Sequence, residues 1–326
     1  MSDHLTAPVL ILGVGAMADA YAAALRDMGR PFIAAGRGRE RAEAFAAKWQ
    51  VQAGHGELVD QWQALVQKPV TAIVAVNANT LARTSAFLID HGVKRLLIEK
   101  PAGLELAEVQ ELQAIAKKKD VDAYVGYNRR FYGSVEIARR MIAEDGGALS
   151  VKFDFTEASK RLEALDKPAD ELAGWFYANS THVIDLAFFL GGEPTELNAL
   201  SIGKLPWHPE GAIFTGMGRL QSGASFCYHA NWISAGRWGV EVMTAKRRLV
   251  LQPMEQLSYQ DHFSFTLKGV ELPDDKDIVF KPGIYRQTEA FVGAKPDSRL
   301  LGLNDHARLF GIYACIRTGD SYRRDV

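Results

Sequence analysis

The chain has 326 residues, 48% hydrophobic and 24% charged, with a net charge of −1. That composition belongs to an ordinary globular protein long enough for two domains. Near neutrality, with only short basic clusters such as Lys117 to Lys119 and Arg323 to Arg324, argues against a nucleic-acid groove. Cys227 and Cys315 lie far apart, and no Cys/His spacing would hold zinc, so no metal is expected and both thiols are read as free in a reducing compartment. The apolar run in "MSDHLTAPVLILGVGAM" is too short and too broken by glycine for a signal segment or a membrane span. The cytoplasm is the expected location, with no membrane partner.

In chain order, "PVLILGV", "MADAYAAALRDMG", "PFIAAGR" and "RERAEAFAAKWQ" alternate short apolar strands with amphipathic helices, the βαβ rhythm of a parallel sheet. The rhythm continues through "TAIVAV", "ARTSAFLIDHG", "RLLIEK" and "LAEVQELQAIAKKK", ending near residue 125 at "DAYVGYNRRF". Six strands fit one doubly wound Rossmann domain over residues 1–125. After a helix at about 131–145, strands follow strands with Gly turns: "LSVKFDFTEA", "TELNALSIG", "AIFTGMGRLQSG", "ASFCYHANWIS" and "WGVEVMTAKRRLVLQ". The helical stretches "YRQTEAFVGA" and "LNDHARLFGIYACIRTG" close the chain. The expected fold is therefore α/β, with a second α+β domain over 126–326 built on a large open, mostly antiparallel sheet.

"GVGAMA" follows the first strand and opens the first helix, so Gly13, Gly15 and Ala18 stand at the three small positions of a dinucleotide fingerprint. Gly13 permits the tight turn, Gly15 lets backbone N–H groups near Ala16 and Met17 approach a pyrophosphate, and Ala18 allows close helix packing. An acidic residue at the end of the second strand would bind a ribose 2′-hydroxyl, but Gly36 and Arg37 stand there instead, with Arg39 and Arg41 behind them. A small residue followed by arginine leaves room and charge for a 2′-phosphate, which favours NADP, with NAD possible. Decoration of a solvated turn is the alternative for these arginines.

In "RLLIEKPAG" the buried-strand run Leu96 to Ile98 stops abruptly at Glu99, Lys100 and Pro101. A strand end in a doubly wound sheet is where ligands bind, so Glu99 and Lys100 are read as facing a crevice. A surface ion pair capping the strand is the other reading.

"GVGAMA", "VNANTLA", "IEKPAG", "GYNRRF" and "THVIDL" occur in one order with credible spacing, and together they resemble the GFO/IDH/MocA oxidoreductase family. The resemblance covers nearly the whole chain and implies a Rossmann domain paired with an open antiparallel sheet domain. It implies that Lys100 reaches the reacting carbinol or carbonyl oxygen, with Glu99 holding it, and that Pro101 follows a bond that is often cis. It implies that Asn77 and Asn79 line the nicotinamide ribose, while Ala82 stands where many relatives have histidine. Relatives also carry Asp-x-Gly-x-His before the "VIDL" helix. Here those positions read Ala178, Ser180 and His182, so the histidine remains and the aspartate is missing.

On that resemblance, Lys100 and His182 are the expected catalytic pair, helped by Tyr177 or Asn179, and Tyr177, Asn179 and Asp185, which follows His182 by three residues, are expected to bind substrate with them. Asn128 and Arg129 are expected to contact cofactor or substrate at the domain junction, with Arg130 a possible structural ion-pair partner. Glu157, Lys160, Arg161 and Tyr285 supply a polar rim from the second domain. The implied activity is hydride transfer between NADP or NAD and a carbinol or ketone carbon of a sugar, cyclitol or nucleotide-linked sugar. Glycoside cleavage assisted by a bound nicotinamide, reduction of a non-sugar carbonyl or imine, and non-catalytic nucleotide binding stay open. A homodimer or homotetramer through the second sheet is the expected assembly.

Overall fold

The computed structural model describes residues 7–164, 169–272 and 275–324. It divides into two compact units, Met1–Asn128 with Ile278–Ala307, and Arg129–Asp277 with Arg308–Val326.

The first unit begins with β1 (Val9–Leu12), α1 (Ala16–Asp27), β2 (Phe32–Gly36), α2 (Arg39–Trp49), β3 (Ala53–His55), α3 (Leu58–Ala64) and β4 (Thr71–Val74). It continues with α4 (Leu81–Asp90), β5 (Arg95–Glu99), α5 (Leu106–Lys118) and β6 (Asp122–Gly126). The parallel order is β6-β5-β4-β1-β2-β3, the doubly wound arrangement in which helices cover both faces. Accordingly β1 and β4 are buried at every residue, and β5 at every residue but Arg95. Helix α1 buries Ala18, Tyr21, Ala22 and Leu25, the i, i+3, i+4, i+7 stripe of a helix laid on a core.

The second unit carries α6 (Gly133–Glu144), β7 (Ser150–Asp154), α7 (Ser159–Glu163), α8 (Ala169–Ala173), α9 (Thr181–Gly191), β8 (Pro194–Ile202), β9 (Ile213–Leu220) and β10 (Ser225–Asn231). After these come β11 (Gly239–Met243), β12 (Arg247–Leu251), β13 (Ser258–Asp261), β14 (Lys268–Gly269) and α10 (Lys276–Val279). The last elements are α11 (Ile284–Val292), β15 (Leu301–Gly302), α12 (Leu303–Thr318) and β16 (Ser321–Arg323). The nine-stranded sheet runs β14-β13-β12-β11-β7-β10-β9-β8-β16, antiparallel except where β7 meets β10. Period-two alternation sorts its faces: Val151, Phe153, Leu197, Phe214, Phe226, Tyr228 and Val240 are buried, while Lys152, Asn198, Leu200, Met217 and His229 are exposed.

Two sequence expectations need correction. The stretch "WGVEVMTAKRRLVLQ" is a hairpin, β11 and β12, because its chain turns at Thr244, whose N–H bonds the Arg247 carbonyl. Residues 278–307 belong to the first unit rather than to a second domain running unbroken from 126 to 326. The cause is pairing: β15 adds antiparallel to β6, and α11 packs on α1. No helix among the described residues is long and apolar enough to cross a membrane.

Candidate active site

In the first unit the β1–α1 turn is shaped for close backbone approach. Gly13 has φ +112°, and a Cβ there would lie 2.2 Å from the Ala75 carbonyl oxygen, so only glycine fits. Gly15, the N-cap of α1, has open space where a Cβ would be and makes no side-chain cap. Gly15 and Ala16 are exposed, and Met17 is half-buried. The first N–H groups of a twelve-residue helix are thus left for an anion, the arrangement a pyrophosphate uses. At the end of β2, Gly36 packs against Val14, whose Cγ2 would be 2.5 Å from any Cβ. Arg37 and Arg41 are exposed, whereas Arg39 Nε donates to Glu43 Oε1 at 2.7 Å one helical turn away. These residues fit a dinucleotide. Asn77 and Asn79 are exposed in the turn that follows β4.

Glu99 ends β5 and is only 7% exposed, which removes the surface-ion-pair reading. The Tyr21 hydroxyl donates to its Oε1 at 2.6 Å and lies 3.1 Å from the Gln287 amide. One hydroxyl has one proton, so with Glu99 receiving it the Gln287 NH₂ donates to the tyrosine oxygen. The Gln287 carbonyl then accepts from the backbone N–H groups of Tyr127 and Asn128 at 3.3 Å each. Burial pushes the Glu99 carboxyl up from its ordinary range, while the Lys100 charge and the Tyr21 bond oppose the shift. Burial and the neighbouring carboxylate raise the Tyr21 phenol well above its usual value, so it stays a donor.

Lys100 follows, half-buried, and the Lys100–Pro101 peptide is cis. The Pro101 carbonyl accepts from His306 Nε2 at 2.8 Å. A carbonyl only accepts, so that imidazole nitrogen carries the proton. The Asn128 amide donates to the Pro282 carbonyl at 2.9 Å, a use inside the unit that the sequence reading did not foresee. Tyr285, expected on the second domain's rim, stands on α11 of the first unit with its ring 4.7 Å from Phe280.

The second unit gathers a different polar cluster. Glu157 leaves β7 through a short segment pinned by bonds from Thr156 N–H to Asp154 and from Asn231 N–H to Thr156 Oγ1. Its carboxylate accepts from Asn179 Nδ2 at 2.9 and 3.1 Å and from Ser180 Oγ at 3.0 Å. Asn179 and Ser180 end a wide π-type turn, Phe176–Ser180, that leads into α9. His182 is the second residue of α9 and is buried. The Trp238 ring borders both His182, 6.4 Å between ring centres, and the Arg129 guanidinium, 5.0 Å from its centre. Lys160 and Arg161 are exposed on α7, a short helix that follows β7.

Two expected substrate residues are used elsewhere. Asp185 is a buried ion pair with Arg130, at 2.8 and 2.6 Å, and accepts from the Tyr313 hydroxyl at 3.2 Å. Both of its oxygens are engaged inside the unit, because α9 is buried all round. The Tyr177 ring stacks on Phe310 at 4.3 Å beneath the Arg317 guanidinium, which makes it core packing. Sequence reasoning missed Tyr21, Gln287, His306 and Trp238 as site residues. For Tyr21 and His306 the local signal was an aromatic or imidazole with a polar tip on a helix, and Gln287 and Trp238 carried no such signal.

Residues 8–127 match the GFO/IDH/MocA family, described as an oxidoreductase family with an NAD-binding Rossmann fold. A search of curated proteins gives no match. Among solved structures, an oxidoreductase from Agrobacterium radiobacter, in complex with NAD⁺, L-tartaric acid and magnesium, is 14% identical with 98% of each chain covered and a TM-score of 0.77. A UDP-N-acetylglucosamine 3-dehydrogenase from Acidithiobacillus ferrooxidans is 15% identical, covering 96% of this chain and 97% of its own, with a TM-score of 0.74. A levoglucosan dehydrogenase in complex with NADH and levoglucosan is 18% identical over 95% of each chain, with a TM-score of 0.76. At such identities the likeness establishes the fold. Residues 8–127, the nucleotide-binding part of the first unit, are what matches the GFO/IDH/MocA oxidoreductase family.

Proposed function

We propose that the protein is an NADP-preferring dehydrogenase or reductase acting on a carbinol or ketone carbon of a sugar, cyclitol or nucleotide-linked sugar. The observation that carries the reading is the first unit's pairing of an open, uncapped α1 N-terminus with Lys100 at the C-terminal end of β5, backed by a buried carboxylate. The sugar class is supported by two fold relatives that are themselves sugar dehydrogenases. NADP is supported by Gly36 followed by exposed Arg37 and Arg41, with no acidic residue at that strand end.

When bound, the nicotinamide gives or takes the hydride. The N–H groups of Ala16 and Met17 hold the pyrophosphate, Arg37 and Arg41 hold a 2′-phosphate, and Asn77 and Asn79 face the ribose. Lys100 Nζ stabilises the alkoxide oxygen and exchanges its proton, with Glu99 balancing the ammonium charge. Within the second unit, His182, Arg129 and Asn179 are the candidate substrate contacts. We place a second copy against the exposed sheet face at Leu200 and Met217, 52% and 63% exposed, and a monomeric mass in solution would remove that assignment.

The test is oxidation of NADPH and NADH by the purified protein against keto-sugars, inososes, nucleotide-linked keto-sugars and simple carbonyls. Turnover with NADPH on a sugar ketone, lost by about a hundredfold or more in Lys100→Met with NADPH binding intact, is the expected result. Turnover only on simple carbonyls, or equal activity in the variant, overturns the reading.

A further inference from the structure

A parallel sheet covered by helices buries both faces of its inner strands, yet Ile33 in β2 is only half-buried while Phe32 and Ala34 on either side of it are buried. The strand register shows which face is open. Leu10 pairs with Ile33, and Leu12 with Ala35, which in turn pairs with Gly54, so these five positions share the face on which α3 packs. Helix α3 is seven residues long and presents Leu58, Gln61, Trp62 and its C-cap Leu65 as an inward stripe. Seven residues reach only about 10 Å, and Ala35 and Gly54 fill little of the space beneath them. A cavity of about 280 Å³ is left between helix and sheet, with exposed Gln52, His55 and Asp60 at its rim. It reaches back beneath the sheet to Leu10 and Ile33, the second residues of their strands, whereas a dinucleotide lies beyond the strands' carboxyl ends.

One residue of the inward stripe is polar. Gln61 Nε2 donates to the Gly56 carbonyl at 2.7 Å and to the Gly36 carbonyl at 3.2 Å. Two carbonyl partners identify that end of the amide as the NH₂, so Oε1 is the other end, buried and with no hydrogen-bond partner among the described residues. Oε1 stands 2.8 Å from where a Cβ on Gly54 would be, and Gly54 lines the cavity. A buried carbonyl oxygen without a donor is costly, and a donor brought by a ligand relieves that cost.

We propose that this cavity binds a small, neutral aromatic molecule carrying one N–H or O–H group, which it donates to Gln61 Oε1. The volume sets the size: a cavity of about 150 Å³ holds a benzene ring, so this one takes a fused two-ring system. The walls set the polarity. Leu10, Leu12, Ile33 and Trp62 are apolar, and the one carboxylate of the lining among the described residues, Asp60, is exposed at the rim, so a charge inside would have no buried partner. The single unpartnered acceptor sets the single donor. The same Gln61 amide holds Gly36 and Gly56, and the Gly56 N–H donates to the Arg37 carbonyl at 3.1 Å, so the ligand sits behind the turn that carries Arg37 and binds together with a nucleotide.

Indole is the probe, and benzothiophene, of the same shape but without the N–H, is its control. By titration calorimetry the wild-type chain is expected to bind indole with a Kd of about 1 mM or tighter, with or without saturating NADPH, and benzothiophene about three- to tenfold more weakly. Backbone amide shifts on adding indole are expected in β2, β3 and α3. Gln61→Leu should bring the two affinities together, and Ile33→Trp, which fills the space, should abolish both. No binding of indole, equal affinities for the two probes in the wild type, displacement of indole by NADPH, or amide shifts confined to other elements would each overturn the proposal. If either variant does not fold, the wild-type affinity ratio and shift map decide.

Discussion

The Tyr21 hydroxyl stands 2.6 Å from the Glu99 carboxylate across 78 residues of sequence, and both groups are buried. It ties the helix that opens at the dinucleotide turn to the carboxylate behind Lys100. Tyr21→Phe removes the donor while keeping the ring. The expected loss is about 1 to 3 kcal/mol of stability, the usual cost of leaving a buried acceptor short of a partner. Turnover falls as well, because Glu99 is driven further toward its neutral form and no longer balances the lysine. Urea unfolding and steady-state kinetics on one preparation check both, and a variant with wild-type values in each removes the coupling.

Arg37 and Arg41 are exposed with no side-chain partner among the described residues, so they are free to meet a 2′-phosphate. A charge-assisted bond is worth about 1.5 to 3 kcal/mol, so Arg37→Ala is expected to weaken NADPH binding by about ten- to a hundredfold and NADH hardly at all. Titration of cofactor fluorescence measures both constants. Equal losses would undo the 2′-phosphate argument.

Asp185 and Arg130 form an ion pair in which the side chains are 1% and 8% exposed. Asp185→Asn leaves a buried guanidinium without its counter-charge and is expected to destabilise the fold by about 3 to 5 kcal/mol. Cofactor affinity, which belongs to the other unit, should not change. A Kd shifted as strongly as the stability would return Asp185 to the site.

Glu157 makes stability depend on pH. Its carboxyl is raised in the folded chain from 4.5 to about 7, so between those values the folded state holds more protons than the unfolded one. Stability contributed by this group is full below about 4.5 and is lost as pH rises toward about 7, by roughly 3 kcal/mol. Glu157→Gln should remove that slope, so the wild-type-minus-variant difference in urea unfolding changes between about pH 5 and pH 8. A constant difference across that window would falsify the titration.

Much of the nucleotide half was legible because its determinants are local. A glycine that must approach the Ala75 carbonyl, a helix opening right after a strand, and a charged pair ending an apolar run are all written within a few residues. The substrate half was less legible. Asp185 looked accessible because its partners, Arg130 and Tyr313, sit 55 and 128 positions away. Tyr285 looked like a rim residue of the second domain because nothing in α11 announces that it packs on α1.

The sequence by itself determined the alternation of strands and helices, the dinucleotide turn, the arginines at the end of β2 and the placing of Glu99 and Lys100 at a strand end. Those follow from side-chain periods of 2 and 3.6 residues and from backbone conformations that only certain residues adopt. Only the tertiary structure decided that residues 278–307 return to the first unit, that Tyr21 and Gln287 stand behind Glu99, and that Glu157 reaches the entry of α9. Burial, hydrogen-bond partners and the carboxyl shift they produce depend on groups brought together from distant elements, and local periodicity carries no record of those pairings.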